Sequence, residues 1–452
     1  MCDSLIALKS DTADGVAVFA KNSDRPANEG QFIKFIPAAD HPVGSTVKCT
    51  YIEIPQAAHT NAVLLSKPYW IWGAEMGVND KYVVIGNEAV FPKVPNAKNT
   101  KLIGMDFVRL GLERGNTARE ALDVIIDLLN KHGQGGSCTT DCESYYSSFL
   151  IADADDAWVL ETAGSWYATK HVTQSDSISN YLTIGTDYDP NLSSPDLAQY
   201  AVQQGWAKST VNFNFGAAYN DFFRTTLVKG RKRRAVTMAA LNSGKGKIDV
   251  PYMINILRTH APDGGSGTNW QPQNDPLLGT DVCMHGSYGI IRDSNSAGSL
   301  VVHLDKKNPT IFVTGTSSPC TSLFKPVWMD ASLPDLGPAP SDEYDPNSQF
   351  WKHELLHRAT VQNYQARIAT YLADRDVVEK GFVEGGLDLA NAPAKKRAKF
   401  SADCFAQGFE AEANWYARVK QIPANPQNSL SYWIYNHAWT NYNNQAHMPK
   451  DF

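Results

Sequence analysis

The sequence predicts an α+β fold, and three observations carry that prediction. Short β-rich runs come in pairs around turn residues. Helical stretches are inserted between those pairs as couples rather than after every strand. The last quarter of the chain is helical. This order points to stacked layers of antiparallel sheet and helix, not to an alternating βαβ wind.

The elements follow in chain order. Ser4 to Ser10 and Gly15 to Lys21 are apolar, β-rich runs around the turn residues 11–15, which reads as an antiparallel hairpin. Trp70 to Met76 and Tyr82 to Phe91 flank a turn at 78–81. Ser147 to Ala152 and Ala157 to Thr162 flank a turn at 153–156, and Trp166 to Val172 continues that sheet. Between these hairpins lie two helices. Gly104 to Arg114 is apolar on one face. Thr117 to His132 opens with the capping box Thr117-Ala118-Arg119-Glu120 and stops at Gly133. Residues 196–260 read as mainly helical, and 261–280, with Gly, Pro, Asn and Gln, as a loop. Strands return at Tyr288 to Asp293, Ser299 to Leu304 and Thr310 to Thr314. The stretch 326–347 is proline-rich and acidic, a surface connector. One long helix is expected over Ser348 to Lys380 with a glycine break at Gly385-Gly386, and a second over Ala394 to Val419. The expected organisation is a core over 1–335 and a helical extension over 336–452.

Composition narrows the function. At 452 residues and 43% apolar, the chain can bury a large core. A net charge of −6 gives no general drive toward nucleic acid or anionic membranes. Seven cysteines without a dense framework suit reduced thiols. With no leader pattern and no stretch long enough to span a bilayer, a cytoplasmic protein is expected. No nucleotide fingerprint or G-x-S-x-G elbow appears, and no cofactor is expected.

The chemistry concentrates at the start of the chain. Cys2 follows the initiator methionine. Trimming Met1, by a methionine aminopeptidase, would leave a thiol and a free α-amine on one residue. An α-amine with a pKa of about 7.7–8.0 is a serviceable base near neutrality, and the thiolate is the nucleophile. A hairpin centred near Thr12–Ala13 sets Cys2 across from Ser23 and Asp24, in the run Asn22-Ser23-Asp24-Arg25-Pro26. A carboxylate there would orient the amine, and a cation would favour the thiolate.

Cys2-Asp3-Ser4 with Phe19-Ala20-Lys21-Asn22-Ser23-Asp24-Arg25-Pro26 resembles the secernin and bacterial dipeptidase family of N-terminal-nucleophile (Ntn) cysteine hydrolases. The resemblance returns at 72–79, 85–90 and 133–136, in Ala157-Trp158-Val159-Leu160-Glu161-Thr162-Ala163-Gly164 and in Ser177-Ile178-Ser179-Asn180. Later matches fall at 283–286, 315–320, 324–327 and 353–358. It implies a four-layer αββα sandwich with the nucleophile opening an inner strand. It also implies Asn87 and Asn180 as oxyanion donors and a basic residue at Lys21, with Arg25 nearby; Asp24, from the hairpin reading, and one of these cations would hold the amine and the substrate's charged end. Arg233 or Arg234 would supply a further arginine after the central helices. The expected reaction is hydrolysis of dipeptides or small amides through a Cys2 thioester. An alternative is a secernin-like regulatory or binding protein with little hydrolase activity. Homo-oligomerisation is left open.

One motif argues for a different enzyme. His353-Glu354-Leu355-Leu356-His357 is a literal H-E-x-x-H, which on a helix would set two histidines on one face for zinc with Glu354 as base and Glu379 as a third ligand. Flanking Lys352 and Arg358 and the family resemblance weigh against it, and no metal is expected. The basic run 229–234 reads as a solvated helix face. Cys283 and His285 form a possible dyad on one strand face, Cys138 and Cys142 lack a second pair, and Cys320 has no identifiable partner.

Overall fold

The computed structural model describes residues 1–97, 99–260, 270–272, 281–286 and 293–450. The chain divides into two compact units. The first comprises 1–21, 34–67 and 71–248; the second comprises 22–33, 68–70 and 249–452. The stretch 336–452 thus falls in one unit with 249–335.

The first unit has the layered architecture expected of the resemblance. Its larger sheet runs β4 (Val63–Pro68), β5 (Met76–Asn79), β6 (Val84–Val90), β7 (Tyr146–Ala152), β8 (Ala157–Ala163) and β9 (Trp166–His171), an antiparallel meander in chain order. Helices α1 (Gly104–Arg114) and α2 (Ala118–His132) pack on one face. Their apolar stripes meet it: Phe107, Val108, Leu122 and Ile125 are buried in one cluster with Ile85, Phe149, Ile151 and Leu160. Each such side chain is worth about 1.5–3 kcal/mol of burial. Against the opposite face lies β1 (Cys2–Ala7), hydrogen-bonded to β10 (Asp176–Ile178) and backed by α3 (Gly230–Ser243). Helix, sheet, sheet, helix is therefore the order through this unit. Glycine makes the close approach of the two sheets possible. A Cβ on Gly86 would lie 2.5 Å from Lys21 Cδ and 2.8 Å from Ser4 Oγ.

The Thr117 cap forms differently from a reciprocal box. Thr117 Oγ1 accepts from Glu120 N at 3.1 Å, but Glu120 Oε2 accepts from Asn116 N, at 2.9 Å. The expected Trp70 to Met76 strand is irregular up to Glu75 and becomes β5 only at Met76.

In the second unit, α4 (Val250–Leu257) packs on β11 (Ser294–His303). β12 (Thr310–Val313) pairs antiparallel with β11 and with β13 (Lys325–Val327). The expected strand at 288–292 lies outside the described residues. The single long helix expected from Ser348 is broken into α5 (Gln349–Val361), a five-residue helix at Tyr364–Ile368, and α6 (Leu372–Asp388). Gly385 and Gly386 do not break the helix, since both lie inside α6. Their missing side chains make room instead. A Cβ on Gly385 would sit 2.5 Å from the Phe400 ring, and one on Gly386 3.0 Å from Phe312 and Pro326. Helix α7 (Ala394–Val419) matches expectation; α8 (Leu430–Gln445), which buries Tyr435, Ala438 and Trp439, is not foreseen.

Candidate active site

Strand register sets the site. Ser4 stands opposite Ile178 and Leu5 opposite Ser177. Continued toward the chain start, that register brings Asn180 opposite Cys2. The side chain closes the pair: Cys2 N donates to Asn180 Oδ1 at 2.7 Å, and Asn180 Nδ2 donates to Ala89 O at 2.9 Å. Here Cys2 N is the peptide nitrogen after Met1; removal of Met1 turns the same atom into an α-amine.

Helix α3 supplies the second partner. It begins at Gly230, where a Cβ would lie 2.9 Å from Asn180 N, so only glycine lets the helix abut that residue. One turn later Arg233 is buried. Its Nε donates to Asp3 Oδ2 at 2.9 Å and its guanidinium reaches Ser179 Oγ at 3.0 Å and Asn180 Oδ1. It also lies 3.2 Å from Met1 Sδ. Burial pushes the Asp3 carboxyl up despite Arg233. The expected solvated basic face is half right. Arg231 and Lys232 are exposed, whereas Arg233 points inward and Arg234 is half-buried against Asp176 at 2.6 Å. Periodicity could not separate them, because the reason lies in Asp3, 230 residues away.

Lys21 is the cation from the opening hairpin. Fully buried, it donates from Nζ to Asn87 O at 2.6 Å and to Glu88 Oε1 at 3.2 Å. Burial alone would lower its pKa, but the charges of Cys2, Glu88 and Glu75 outweigh burial and hold it as an ammonium. Glu88 also accepts from Ser4 Oγ at 2.5 Å, and burial pushes its carboxyl up to about 7. Neither Ser4 nor Glu88 stands out in the sequence as a site residue; their alternation on facing strands was the available signal. Asn87 sits in β6 with its amide nitrogen 3.6 Å from Met105 Sδ. Turned over, that amide donates to Glu75 O at 2.9 Å and Glu75 Oε2 at 3.2 Å.

Asp24 and Arg25 belong to the second unit. Asp24 Oδ1 accepts from Ser296 Oγ at 2.6 Å, and Arg25 Nε donates to Glu29 Oε1 at 2.9 Å, both buried.

The H-E-x-x-H run does not build a peptidase site. His353 bonds Glu412 (3.0 Å), Thr321 and Ser322 (each 3.2 Å), while Glu354 is paired with Arg358 at 2.5 Å. Glu379 receives both Arg258 nitrogens at 2.7 Å. Among the described residues, the group of ligand-type side chains that does converge is His260, Cys283, His285 and Cys320. Cys283 and His285 are therefore not an isolated dyad, and Cys320 does have a partner, His285, at 3.3 Å.

Comparison with known proteins gives a family and several structural likenesses. The model of peptidase family C69 matches residues 1–229. Among solved structures, conjugated bile acid hydrolase from Clostridium perfringens is 14% identical, over 73% of this chain and 93% of that one, with a TM-score of 0.42. Penicillin V acylase from Agrobacterium tumefaciens is 14% identical, over 73% and 86%, with a TM-score of 0.42. The Caenorhabditis elegans N-acylethanolamine-hydrolyzing acid amidase ortholog is 11% identical, over 67% and 92%, with a TM-score of 0.35. No helix among the described residues is long and apolar enough to cross a membrane. With the family match covering the segment that carries Cys2, Lys21, Asn87 and Asn180, the chain belongs to peptidase family C69 and is a cysteine-type peptidase.

Proposed function

We propose that this protein is a cytoplasmic Ntn dipeptidase that cleaves dipeptides or small amides through a thioester on Cys2, once a methionine aminopeptidase has removed Met1. The observation that carries the reading is the 2.7 Å contact between Cys2 N and Asn180 Oδ1, which fixes the place of the future α-amine.

The thiol proton passes to the α-amine, and the thiolate attacks the amide carbonyl carbon. Lys21 favours the thiolate by charge. The oxyanion is steadied by the side-chain amides of Asn180 and of Asn87, the latter in the orientation whose nitrogen faces Met105 rather than Glu75. The ammonium returns its proton to the leaving amine as the C–N bond breaks, leaving the thioester. A water then gives up a proton to the α-amine, attacks the thioester carbon and releases the acid and the thiol. Arg233 acts through Asn180 and Asp3 as a positioning residue.

The test combines intact mass with turnover. Protein lacking Met1, alkylated first at Cys2 by iodoacetamide and losing dipeptide hydrolysis in step, supports the reading. A Cys2→Ala variant that keeps near-full turnover of a dipeptide panel sinks it.

A further inference from the structure

We infer that His260, Cys283, His285 and Cys320 bind one zinc ion, in a closed structural site inside the second unit. All four side chains are buried, and one ligand atom from each lies within 4.8 Å of the others. His285 Nε2 is the hub. It lies 3.2 Å from His260 Nε2, 3.5 Å from Cys283 Sγ and 3.3 Å from Cys320 Sγ.

Hydrogen bonding cannot account for that convergence. A ring nitrogen carries either one proton or one lone pair, so it cannot satisfy three neighbours at once. A tetrahedral zinc can. With Zn–N of about 2.0–2.1 Å and Zn–S of about 2.3 Å, tetrahedral ligands stand about 3.3 Å apart for two nitrogens and about 3.5 Å for nitrogen and sulfur. The three distances at His285 match these separations. The remaining pairs, all within 4.8 Å, must close to tetrahedral spacings of about 3.5–3.8 Å. Charge also fits: two thiolates and two neutral imidazoles cancel Zn²⁺, so the buried site is neutral. Binding releases the two thiol protons to solvent. Two sulfurs and two imidazoles in four-coordinate geometry select zinc over the harder divalent ions.

The surroundings hold the ligands in place. Val282 N and Cys283 N both donate to Thr259 O, at 2.9 and 3.0 Å, which ties the Cys283 segment to the residue before His260. Arg375 donates to Cys320 O. Behind His285, its Nδ1 lies 3.3 Å from His357 Nε2, and His357 Nδ1 lies 3.1 Å from Glu354 Oε1. A proton on each Nδ1 makes a relay from carboxylate to histidine to histidine and leaves His285 Nε2 bare for the metal. Orientation of a ligand histidine through its other nitrogen is the usual arrangement around zinc. The second histidine and the glutamate of the H-E-x-x-H run thereby gain a role as supports of a metal held by other residues. Four protein ligands leave no open position, so the ion serves folding rather than catalysis.

The experiment uses the full chain, purified without metal-affinity resin or chelator, with every first-row metal quantified by mass spectrometry. About one zinc per chain is expected, as a closed four-ligand site requires. Cys142→Ser, at an exposed cysteine outside the cluster, should leave that content unchanged. Cys283→Ser and Cys320→Ser should lose zinc, and His357→Leu should weaken its retention against a competing chelator by about 10–100-fold. Because the cysteine variants can misfold, a second measurement is made on the wild type. Protein freed of metal and reloaded with Co²⁺ should show thiolate-to-cobalt charge transfer and tetrahedral d–d bands. Absence of zinc both as purified and after reloading, or cobalt spectra without thiolate charge transfer, overturns the proposal. Neither outcome bears on hydrolysis by Cys2.

Discussion

Arg233 Nε lies 2.9 Å from Asp3 Oδ2, with each side chain only 1% exposed. The pair fixes the residue next to Cys2 to the first turn of α3. Removing one member of a buried ion pair strands the other charge, at a cost of about 3–5 kcal/mol. Arg233→Met is therefore expected to lower unfolding free energy by that order, measured by urea denaturation. Asp3→Asn combined with Arg233→Met should recover part of the loss, because no uncompensated charge remains. Equal losses in the single and double variants would count against the pairing.

Met1 offers a second test. Its sulfur rests 3.2 Å from Arg233, and while it is present Cys2 N is an amide with no basic lone pair. A protein with an N-terminal tag left in place should lose at least about 100-fold in turnover, the lower end of what a positioned base supplies. A C-terminal tag should cost nothing. Equal activity, with mass showing the N-terminal tag intact, would rule out the α-amine as the base.

Much of this was legible in the sequence because it is local. The bounds of α1, α7 and β8 follow from apolar period and turn residues, and the Thr117 cap is written in four consecutive letters. Of the residues proposed for the site, Cys2, Lys21, Asn87, Asn180 and Arg233 are named from the sequence, the last only as one of two adjacent arginines. What escaped depends on partners distant in sequence. Glu88 matters because Ser4 and Lys21 face it from other strands. His260 and Cys320 lie 60 residues apart and read as unrelated until the loops bring them to His285. The H-E-x-x-H run misleads for the same reason, since its spacing says nothing about Ser317, Arg358 or His285, which bind it.

The glycines of α6 separate propensity from packing. A methyl group on the Gly381 Cα would have nothing within 4 Å, so Gly381→Ala should stabilise by about 0.5–1 kcal/mol through helix propensity. Gly385→Ala gains the same propensity but drives a methyl to 2.5 Å from the Phe400 ring. Overpacking costs about 1–3 kcal/mol, so the net change should be a loss. Thermal unfolding of both variants checks the sign. A rise in Tm for Gly385→Ala would mean that the Phe400 ring gives way at less cost than the helix propensity gained.

Glu88 gives the site a pH dependence whose sign can be worked out. Burial raises its carboxyl from the ordinary 4.5 to about 7, despite the ammonium of Lys21 alongside. Between those two values the folded state holds a proton that the unfolded state has released. Unfolding free energy must then fall as pH rises from 4.5 to 7, and level off above 7. The difference is at most on the order of 3 kcal/mol, since one pKa unit is about 1.4 kcal/mol. Glu88→Gln removes the titration and leaves Lys21 charged throughout. The stability of the wild type minus that of Glu88→Gln should therefore decline across this window. Urea denaturation of both proteins at pH 4.5, 5.5, 6.5 and 7.5 reads the difference directly. A difference that stays flat, or one that grows with pH, would mean that Lys21 and Ser4 hold the Glu88 carboxylate ionised against its burial.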